Sequence, residues 1–238
     1  MKITSTLLVG CGGTGSHLAS PLARLLSFHP NADHSITLCD GDAFEAGNRN
    51  RQLMALADPG KNKAVVVREQ LMAQGLGDIT TIADFLNPSI LSSWLLEAGD
   101  CPMIVVAVDN DATRKIVCDQ LQEAKAYLPS FFMITPGNDA GEGSRPAEIK
   151  GQTLWWGYTE NTDFGINPAT VYSNIAKPSD PPPVRGECSA KAPSQPQLIA
   201  ANLMAAATTL SVIQSLLDAT IDPTKHGLFF TSTKSEVI

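Results

Sequence analysis

The sequence of 238 residues is poor in several features that mark whole classes of protein. It contains no run of lysine and arginine, and its net charge of −7 argues against nucleic acid or an anionic membrane as its main partner. Its five cysteines are odd in number and include no C-x-x-C pair, which argues against a disulfide framework and the usual structural zinc site. The N-terminal apolar run is too short for a signal peptide. We therefore expect a cytoplasmic protein with reduced thiols.

The composition is that of an ordinary globular protein with a sizeable core, with 43% hydrophobic and 17% charged residues. We find neither an internal repeat nor a clear linker, so we expect a single domain over residues 1–238. The pattern changes near residue 136, which divides this domain into a regular half, 1–135, and a less regular half, 136–238.

Strands and helices alternate in the regular half. The predicted apolar strands are residues 3–9, 36–39, 79–83, 103–108 and 131–137, and the predicted helices between them begin near residues 16, 61, 87 and 112. The run 103–108 is apolar throughout, which suits a strand buried on both faces of a parallel sheet. The alternation predicts a Rossmann-like α/β fold, with an open, mostly parallel sheet and helices on both faces. A short helical turn is also expected at residues 53–56.

The less regular half is expected to add antiparallel strands at the C-terminal side of the sheet. Residues 153–158 have the pattern of a strand, and residues 228–230 with 236–238 are compatible with a closing hairpin. Residues 161–184 have little periodicity. Residues 197–217 form the most apolar predicted helix, and polar residues such as Asn202 favour a buried core helix over a membrane span.

A glycine-rich turn follows the first predicted strand. Gly10, Gly12 and Gly15 fit the G-x-G-x-x-G pattern, and Gly13 is a further position without a side chain. Such glycines allow a tight turn, a close approach of the backbone to phosphate, and close packing of helix on strand. The helix that follows offers free N–H groups and a positive dipole end to an anion. The same pattern also occurs in turns that bind no ligand.

Aspartates follow two of the predicted strands. Asp40 lies 25 residues beyond Gly15, close to where an acidic side chain binds ribose hydroxyls, which is compatible with either NAD or ATP. Asp109 follows the run 103–108 and is a candidate ligand for magnesium, a hard cation that takes carboxylate, water and phosphate oxygens. For Asp111, we favour a simpler role as a helix N-cap or turn former.

Polar and cationic residues follow Asp40, at a place where a dehydrogenase needs nothing special. They are Asp42, Asn48, Arg51, Gln52 and Lys63. Arginine and lysine together supply the charge and the donors that a triphosphate requires. Lys63 falls in the first turn of its predicted helix, and Gly60 allows a close approach. These residues favour ATP over a dinucleotide, with a solvated surface loop as the alternative.

The motifs together resemble a known family. The string D-G-D-x-F-E-x-x-N-x-x-R-Q at residues 40–52, followed by G-x-x-K at 60–63 and V-x-V-D-N at 106–110, is similar to the ubiquitin-activating and sulfur-carrier-adenylating superfamily of ThiF and MoeB proteins. More narrowly, it resembles the ThiF-family protein of the bacterial PRTRC gene system. The resemblance covers about the first 135 residues well and the rest loosely.

The resemblance implies that Mg-ATP adenylates the C-terminal carboxylate of a small ubiquitin-like β-grasp carrier protein, with release of pyrophosphate. Residues 1–135 would bind the nucleotide, residues 136–238 would bind the carrier and contain a crossover loop, and the protein would be a homodimer. Arg51, Lys63 and a magnesium ion at Asp109 would neutralise the phosphates. The implied binding residues are Gly10, Gly12 and Gly15 for the nucleotide turn, Asp40 for ribose, and Asn48, Arg51, Gln52 and Lys63 for the phosphates.

The sequence also departs from the family. Many members begin with a helical segment that lends an arginine to the partner subunit, whereas here the first predicted strand begins almost at Met1. In several relatives a cysteine on the crossover loop takes the carrier as a thioester or persulfide. Cys188 follows a proline-rich stretch and has Arg185 and Lys191 nearby to favour the thiolate, although an incidental loop cysteine is an equal alternative.

Two other functions stay open from the sequence. An NAD-dependent oxidoreductase would explain residues 10–40 but would leave Arg51, Gln52 and Lys63 without a role. A nucleotide-binding scaffold without catalytic activity is favoured by the missing N-terminal arginine segment.

Overall fold

The computed structural model describes residues 2–56, 58–139, 149–183, 199–231 and 235–237. Its strands are β1 (Ser5–Val9), β2 (Ser35–Cys39), β3 (Asp78–Ile82), β4 (Pro102–Val106), β5 (Ser130–Asp139), β6 (Lys150–Thr159), β7 (Thr162–Gly165), β8 (Gly227–Thr231) and β9 (Ser235–Val237). Its helices are α1 (Gly13–Phe28), α2 (Lys63–Ala73), α3 (Pro88–Glu97), α4 (Asp111–Ala124), α5 (Pro168–Val171), α6 (Ser173–Ala176) and α7 (Ile199–Leu217). A 3-10 helix spans Ala46–Asn50.

The first five strands form a parallel sheet in the order β3-β2-β1-β4-β5. Strands β2 and β3 lie on one side of β1, and β4 and β5 lie on the other, so the strand order reverses between β1 and β4. Parallel α/β sheets bind ligands at the carboxyl ends of the strands that flank such a point. Every residue of β4 is buried, as expected for a strand that is covered on both faces. The predicted Rossmann-like parallel sheet is therefore confirmed.

The sheet continues as antiparallel strands beyond β5. The long strand β6 pairs antiparallel with β5 and then with both β7 and β8 along its other edge. The last strand, β9, pairs antiparallel with β8, which confirms the predicted closing hairpin. One sheet thus runs through both halves of the sequence.

Helices cover both faces of the sheet and form two hydrophobic cores. One core contains apolar side chains of α1, α2 and α7, among them Leu22, Val67 and Ile213. The other contains side chains of α3 and α4, among them Leu95 and Leu121. These five helices therefore bury apolar side chains against the sheet, which is the main source of their stability.

Helix α7 is, among the described residues, long and apolar enough to cross a membrane by length and composition alone. It instead packs against α1, β5 and β6, where Ala205, Thr209 and Ile213 are fully buried. Thr209 Oγ1 donates a hydrogen bond to the Ala205 carbonyl at 2.7 Å, which satisfies the hydroxyl inside the core. These contacts agree with the predicted core helix.

One local prediction was wrong. Residues 53–56 form no helix; the helical turn comes earlier, at Ala46–Asn50, where the side chains of Glu45 and Asn48 form a capping box. Residues 161–184, which have little periodicity, contain β7, α5 and α6 within their described part. Asn167 caps α5 by accepting a hydrogen bond from the Ala169 N–H at 2.9 Å. The 3-10 helix and α5 are single-turn elements specified by polar caps rather than by hydrophobic periodicity.

The glycine turn packs α1 tightly onto the ends of β1 and β4. Gly10 has a φ of +89°, and a Cβ at this position would lie 2.5 Å from the Ala107 carbonyl oxygen. A Cβ at Gly15 would overlap the Gly10 carbonyl. Neither position has room for a side chain, so these two glycines set the distance between the helix and the sheet.

We predict that Gly15→Ala destabilises the protein by about 3 kcal/mol, because the added methyl group must displace backbone rather than a flexible side chain. Gly47→Ala is the matched control, since a Cβ at Gly47 would meet no atom within 4 Å. Urea unfolding of both variants measures the difference. Equal stability of Gly15→Ala and wild type would contradict this account of the turn.

Candidate functional site

The first turn of α1 is open to an anion. Its N-cap is Gly12, which has no side chain with which to cap the helix, and the first turn contains no acidic residue. In contrast, α2, α3 and α4 are capped by the side chains of Asn62, Asn87 and Asn110. A helix start without a side-chain cap leaves backbone N–H groups and the positive end of the dipole available to a negative ligand.

Asp40 joins the glycine turn to the loop that follows β2. Its carboxylate accepts hydrogen bonds from the Cys11 N–H at 2.6 Å and from the Asp42 N–H at 2.8 Å. Burial raises the pKa of Asp40, while the charge of Lys63 and these two N–H groups oppose the shift. Each oxygen of an ionised carboxylate can accept a further bond, so Asp40 is suited to receive hydroxyl donors.

Lys63 lies in the first turn of α2 and is the buried cation of this region, with its side chain 11% exposed. Its Nζ is 2.9 Å from Asp42 Oδ2, on a carboxylate that is about half exposed. Asn62 fixes the geometry, because its amide donates to the carbonyls of Asp40 and Asp42 at 2.8 and 3.1 Å. The structure thus brings Asp40, Asp42 and Lys63 together, as their proposed roles require.

The 3-10 helix places the next candidate residues beside α1. The Asn48 carbonyl accepts the N–H groups of Arg51 and Gln52 at 3.1 and 2.9 Å, while Asn48 Oδ1 accepts the Glu45 N–H at 3.0 Å. Asn48 therefore has its amide donors left for a ligand, but its oxygen serves the loop. The Arg51 carbonyl is 3.0 Å from His17 Nε2, which ties the loop to the helix that begins at the glycine turn.

Gln52 contributes a buried amide to the same region. The side chain is 8% exposed, its Oε1 has no hydrogen-bond partner within the described ranges, and a Cβ at Gly12 would lie 3.8 Å from its Nε2. A buried polar atom without a partner costs about 1–3 kcal/mol, so this amide is arranged for a bond that a ligand can complete. A half-turn of the amide exchanges oxygen and nitrogen, and either end can face the ligand.

Asp109 lies on the loop between β4 and α4 and is exposed. Across the residues for which atoms are described, its carboxylate forms no hydrogen bond or ion pair. No cluster of three or more metal-binding side chains occurs in that part of the chain, but magnesium typically takes one or two protein carboxylates and completes its shell with water and phosphate. The expected cap role of Asp111 was wrong: Asn110 is the N-cap, accepting the Thr113 N–H at 2.8 Å.

The cysteines separate into two groups. Cys188, the candidate thiol, lies outside the described residues. Cys11, Cys39, Cys101 and Cys118 are buried free thiols. Burial raises the pKa of Cys39 and Cys118 to about 12, that of Cys101 to about 11, and that of Cys11 well above its usual range. Because the thiolate is the reactive form, these four cysteines are packing residues, as the sequence predicted.

Sequence reasoning missed three polar residues near the site. Arg114, in the second turn of α4, bonds to the loop that contains Asp109. His17 contacts Arg51, as described above. Asn202, fully buried in α7, is pressed against Gly13, where an added Cβ would overlap its amide. Asn202 had a sequence signal, a polar side chain on an otherwise apolar helix, whereas Arg114 lies in a helix with many polar residues and had none.

Comparison with known proteins identifies the family. The sequence profile described as the ThiF family matches residues 1–226. The chain belongs to the ThiF family. None of the curated proteins matches the sequence. Family membership agrees with the resemblance found in residues 40–52, 60–63 and 106–110.

Solved structures show the same fold as this ThiF-family chain. The crystal structure of PaaA is 18% identical with a TM-score of 0.63, and the match covers 98% of this chain and 63% of PaaA. The structure of Escherichia coli MccB with ATP is 19% identical with a TM-score of 0.63, covering 100% of this chain and 64% of MccB. MccB with AMPCPP and MccA is 18% identical with a TM-score of 0.62, covering 99% and 62%. This chain therefore spans less than two thirds of the length of these neighbours.

We predict that the four buried cysteines of this ThiF-family chain do not react with Ellman's reagent in the native protein at pH 8, since their raised pKa values keep them protonated. The Cys188→Ala variant is then expected to show no fast-reacting thiol, and four thiols after guanidinium unfolding. The difference in fast-reacting thiols between wild type and this variant then gives the reactivity of Cys188. A fast thiol in native Cys188→Ala would contradict the assignment.

Proposed function

We propose that this ThiF-family protein is an ATP-dependent adenylyltransferase that activates the C-terminal carboxylate of a small ubiquitin-like β-grasp protein. The observation that carries the proposal is the ion pair between buried Lys63 and half-exposed Asp42 beside Asp40, next to a helix start whose N-cap residue, Gly12, has no side chain. A buried cation at an anion-binding helix start is suited to a polyphosphate.

The sheet supports ATP over a dinucleotide. A dinucleotide-binding fold continues with a second parallel half, which holds the second nucleotide across the reversal point. Here β6 and β8 are antiparallel, so the strands beyond β5 do not repeat the first half. An NAD-dependent oxidoreductase would also leave the buried Lys63 without a function. Both features favour a nucleoside triphosphate over a dinucleotide.

The residues present fit ATP and magnesium. The N–H groups at the start of α1, with Lys63 and the amide nitrogen of Gln52, would donate hydrogen bonds to the phosphates, and Asp40 would accept hydrogen bonds from the ribose hydroxyls. Asp109, exposed and without a partner in the described ranges, would hold magnesium. Bound there, the ion would neutralise phosphate charge and orient the triphosphate. E. coli MccB, which has the same fold, was solved with ATP.

The mechanism follows from charge. An acceptor carboxylate oxygen attacks the α-phosphorus, the bond from that phosphorus to the bridging oxygen breaks, and pyrophosphate leaves with the electron pair. The carboxylate is already ionised at neutral pH, so no protein base is needed. Lys63 and Arg51 would offset the repulsion between the two anions, and the fixed N–H groups of α1 would hold the phosphates in line.

The acceptor is proposed to approach from the side of β5 and β6. A polar cavity of about 120 Å³ lies at the carboxyl end of β5, lined by Asp111, Thr135, Gln152, Tyr172 and others. Its small volume suits the small-residue tail of a β-grasp protein. We also propose a cytoplasmic homodimer of the PRTRC type, with residues 136–238 binding the carrier, and a second step in which the Cys188 thiolate displaces AMP to form a thioester.

ATP–pyrophosphate exchange tests the proposal, with a β-grasp protein ending in glycine as acceptor. We expect acceptor-dependent exchange that falls about 100-fold in Lys63→Ala, because a donor aimed at the transferring group is lost. Lys61→Ala is the matched control, since this neighbouring lysine is half exposed and pairs with Asp58 instead. Cys188→Ala should retain exchange but lose any hydroxylamine-sensitive conjugate.

The outcomes separate the hypotheses. Exchange that survives Lys63→Ala would remove Lys63 from the site. ATP binding without exchange would favour an inactive scaffold. NAD binding without ATP binding would favour the oxidoreductase. Exchange in Cys188→Ala with an intact conjugate would show that the thioester does not form on this cysteine.

A further inference from the structure

The loop that carries Asp109 is fixed on both sides of this residue. Before it, the Ala107 N–H donates to the Val9 carbonyl at 2.8 Å. After it, the Asn110 side chain caps α4. The carboxylate of Asp109 itself contacts no described residue through a hydrogen bond or ion pair. Its position therefore depends on how firmly its backbone is held, and in particular on the Val108 carbonyl just before it.

Arg114 holds that carbonyl. Its Nη2 donates to the Val108 oxygen at 2.6 Å and also to the Pro136 oxygen at 3.2 Å. Its Nε donates to Thr135 Oγ1 at 3.1 Å, and its Nη1 pairs with Asp111 Oδ1 at 2.7 Å. One guanidinium thus joins the loop after β4 to the end of β5.

The partners of Arg114 are themselves anchored. Thr135 Oγ1 donates to the Val106 carbonyl at 3.1 Å inside the core. Asp111 Oδ2 accepts from the Asn174 amide at 2.8 Å, which connects the network to α6. The Arg114 side chain is only 14% exposed, and hydrogen bonds in such surroundings hold geometry firmly because water competes weakly for them.

From this geometry we infer that Arg114 is a positioning residue for Asp109, acting through the Val108 carbonyl to place the carboxylate for a metal–nucleotide complex. Its guanidinium donates four hydrogen bonds to protein atoms, on the stretch from Val108 to Asp111 and at the end of β5, which is more than a charge pair with Asp111 requires. Lysine cannot reproduce this planar set of donors. The inference rests on the proposed function, since it assumes that Asp109 holds the metal.

The test measures the dissociation constant of AMPCPP with Mn²⁺ and with EDTA, for wild type, Arg114→Lys, Asp109→Asn and the double variant. The ratio of the dissociation constant in EDTA to that in Mn²⁺ measures how much Mn²⁺ strengthens AMPCPP binding. We expect this ratio to be about tenfold smaller in Arg114→Lys than in wild type, as is typical when a residue that supports a metal ligand is changed. Its affinity in EDTA should stay within about twofold of wild type. Because Arg114 acts through Asp109, the double variant should be no weaker than Asp109→Asn alone.

Arg68→Lys is the matched control, since Arg68 is also half-buried but, within the described part of the chain, makes one hydrogen bond, to the Ile79 carbonyl at 2.9 Å. If Arg114→Lys fails to fold, Thr135→Val is the second variant, because it removes the hydrogen bond from Arg114 Nε. It should also reduce the increase in AMPCPP affinity that Mn²⁺ causes. The inference about Arg114 would be overturned if Mn²⁺ strengthened AMPCPP binding by the same factor in the folded variants as in wild type, or if a variant lost equal affinity with Mn²⁺ and with EDTA. Either result would leave the proposed function standing. Failure of wild type to bind AMPCPP would overturn the proposed function as well.

Discussion

The close approach of the glycine turn to the ends of β1 and β4 is the constraint on which the rest of the site depends. A Cβ at Gly10 or Gly15 would strike backbone, so α1 lies nearer to the sheet than a helix with side chains at these positions could. This brings the uncapped start of α1 to the point where the strand order reverses. The anion-binding property of the helix is therefore a consequence of packing.

Two hydrogen-bonded links extend from the turn to the flanking loops. The Asp40 carboxylate connects Cys11 to the loop after β2, which in turn positions Lys63 through its bond to Asp42. On the other side, the loop after β4 is held by Val9 and by Arg114. Charges of both signs thus lie on fixed backbone around one helix start, an arrangement that stabilises a charged ligand without reorganisation of the protein.

The sequence predicted the parallel half of the fold because its physical signal is local. A run such as residues 103–108 is apolar at every position, and only a strand that is covered on both faces requires this. The 3-10 helix at Ala46–Asn50 was missed because a capping box, rather than periodicity, specifies it. The helices at Pro168–Val171 and Ser173–Ala176 are too short for a hydrophobic pattern to develop.

The candidate site was predictable where motif and charge coincide, as at Asp40 and Lys63, which the structure brings close together. Arg114 was not predictable, because its role depends on β5 lying beside β4, and its bonding partner Thr135 is 21 residues away. Cys188 stays a prediction.

The central claim is that this edge of the sheet binds ATP, with its phosphates at the start of α1. A crystal structure of the protein with AMPCPP and Mg²⁺ tests it most directly. We predict phosphate oxygens within hydrogen-bonding distance of the α1 N–H groups and Lys63 Nζ, ribose hydroxyls at Asp40, and the metal at Asp109. A nucleotide bound elsewhere, or phosphates that contact neither α1 nor Lys63, would contradict the account.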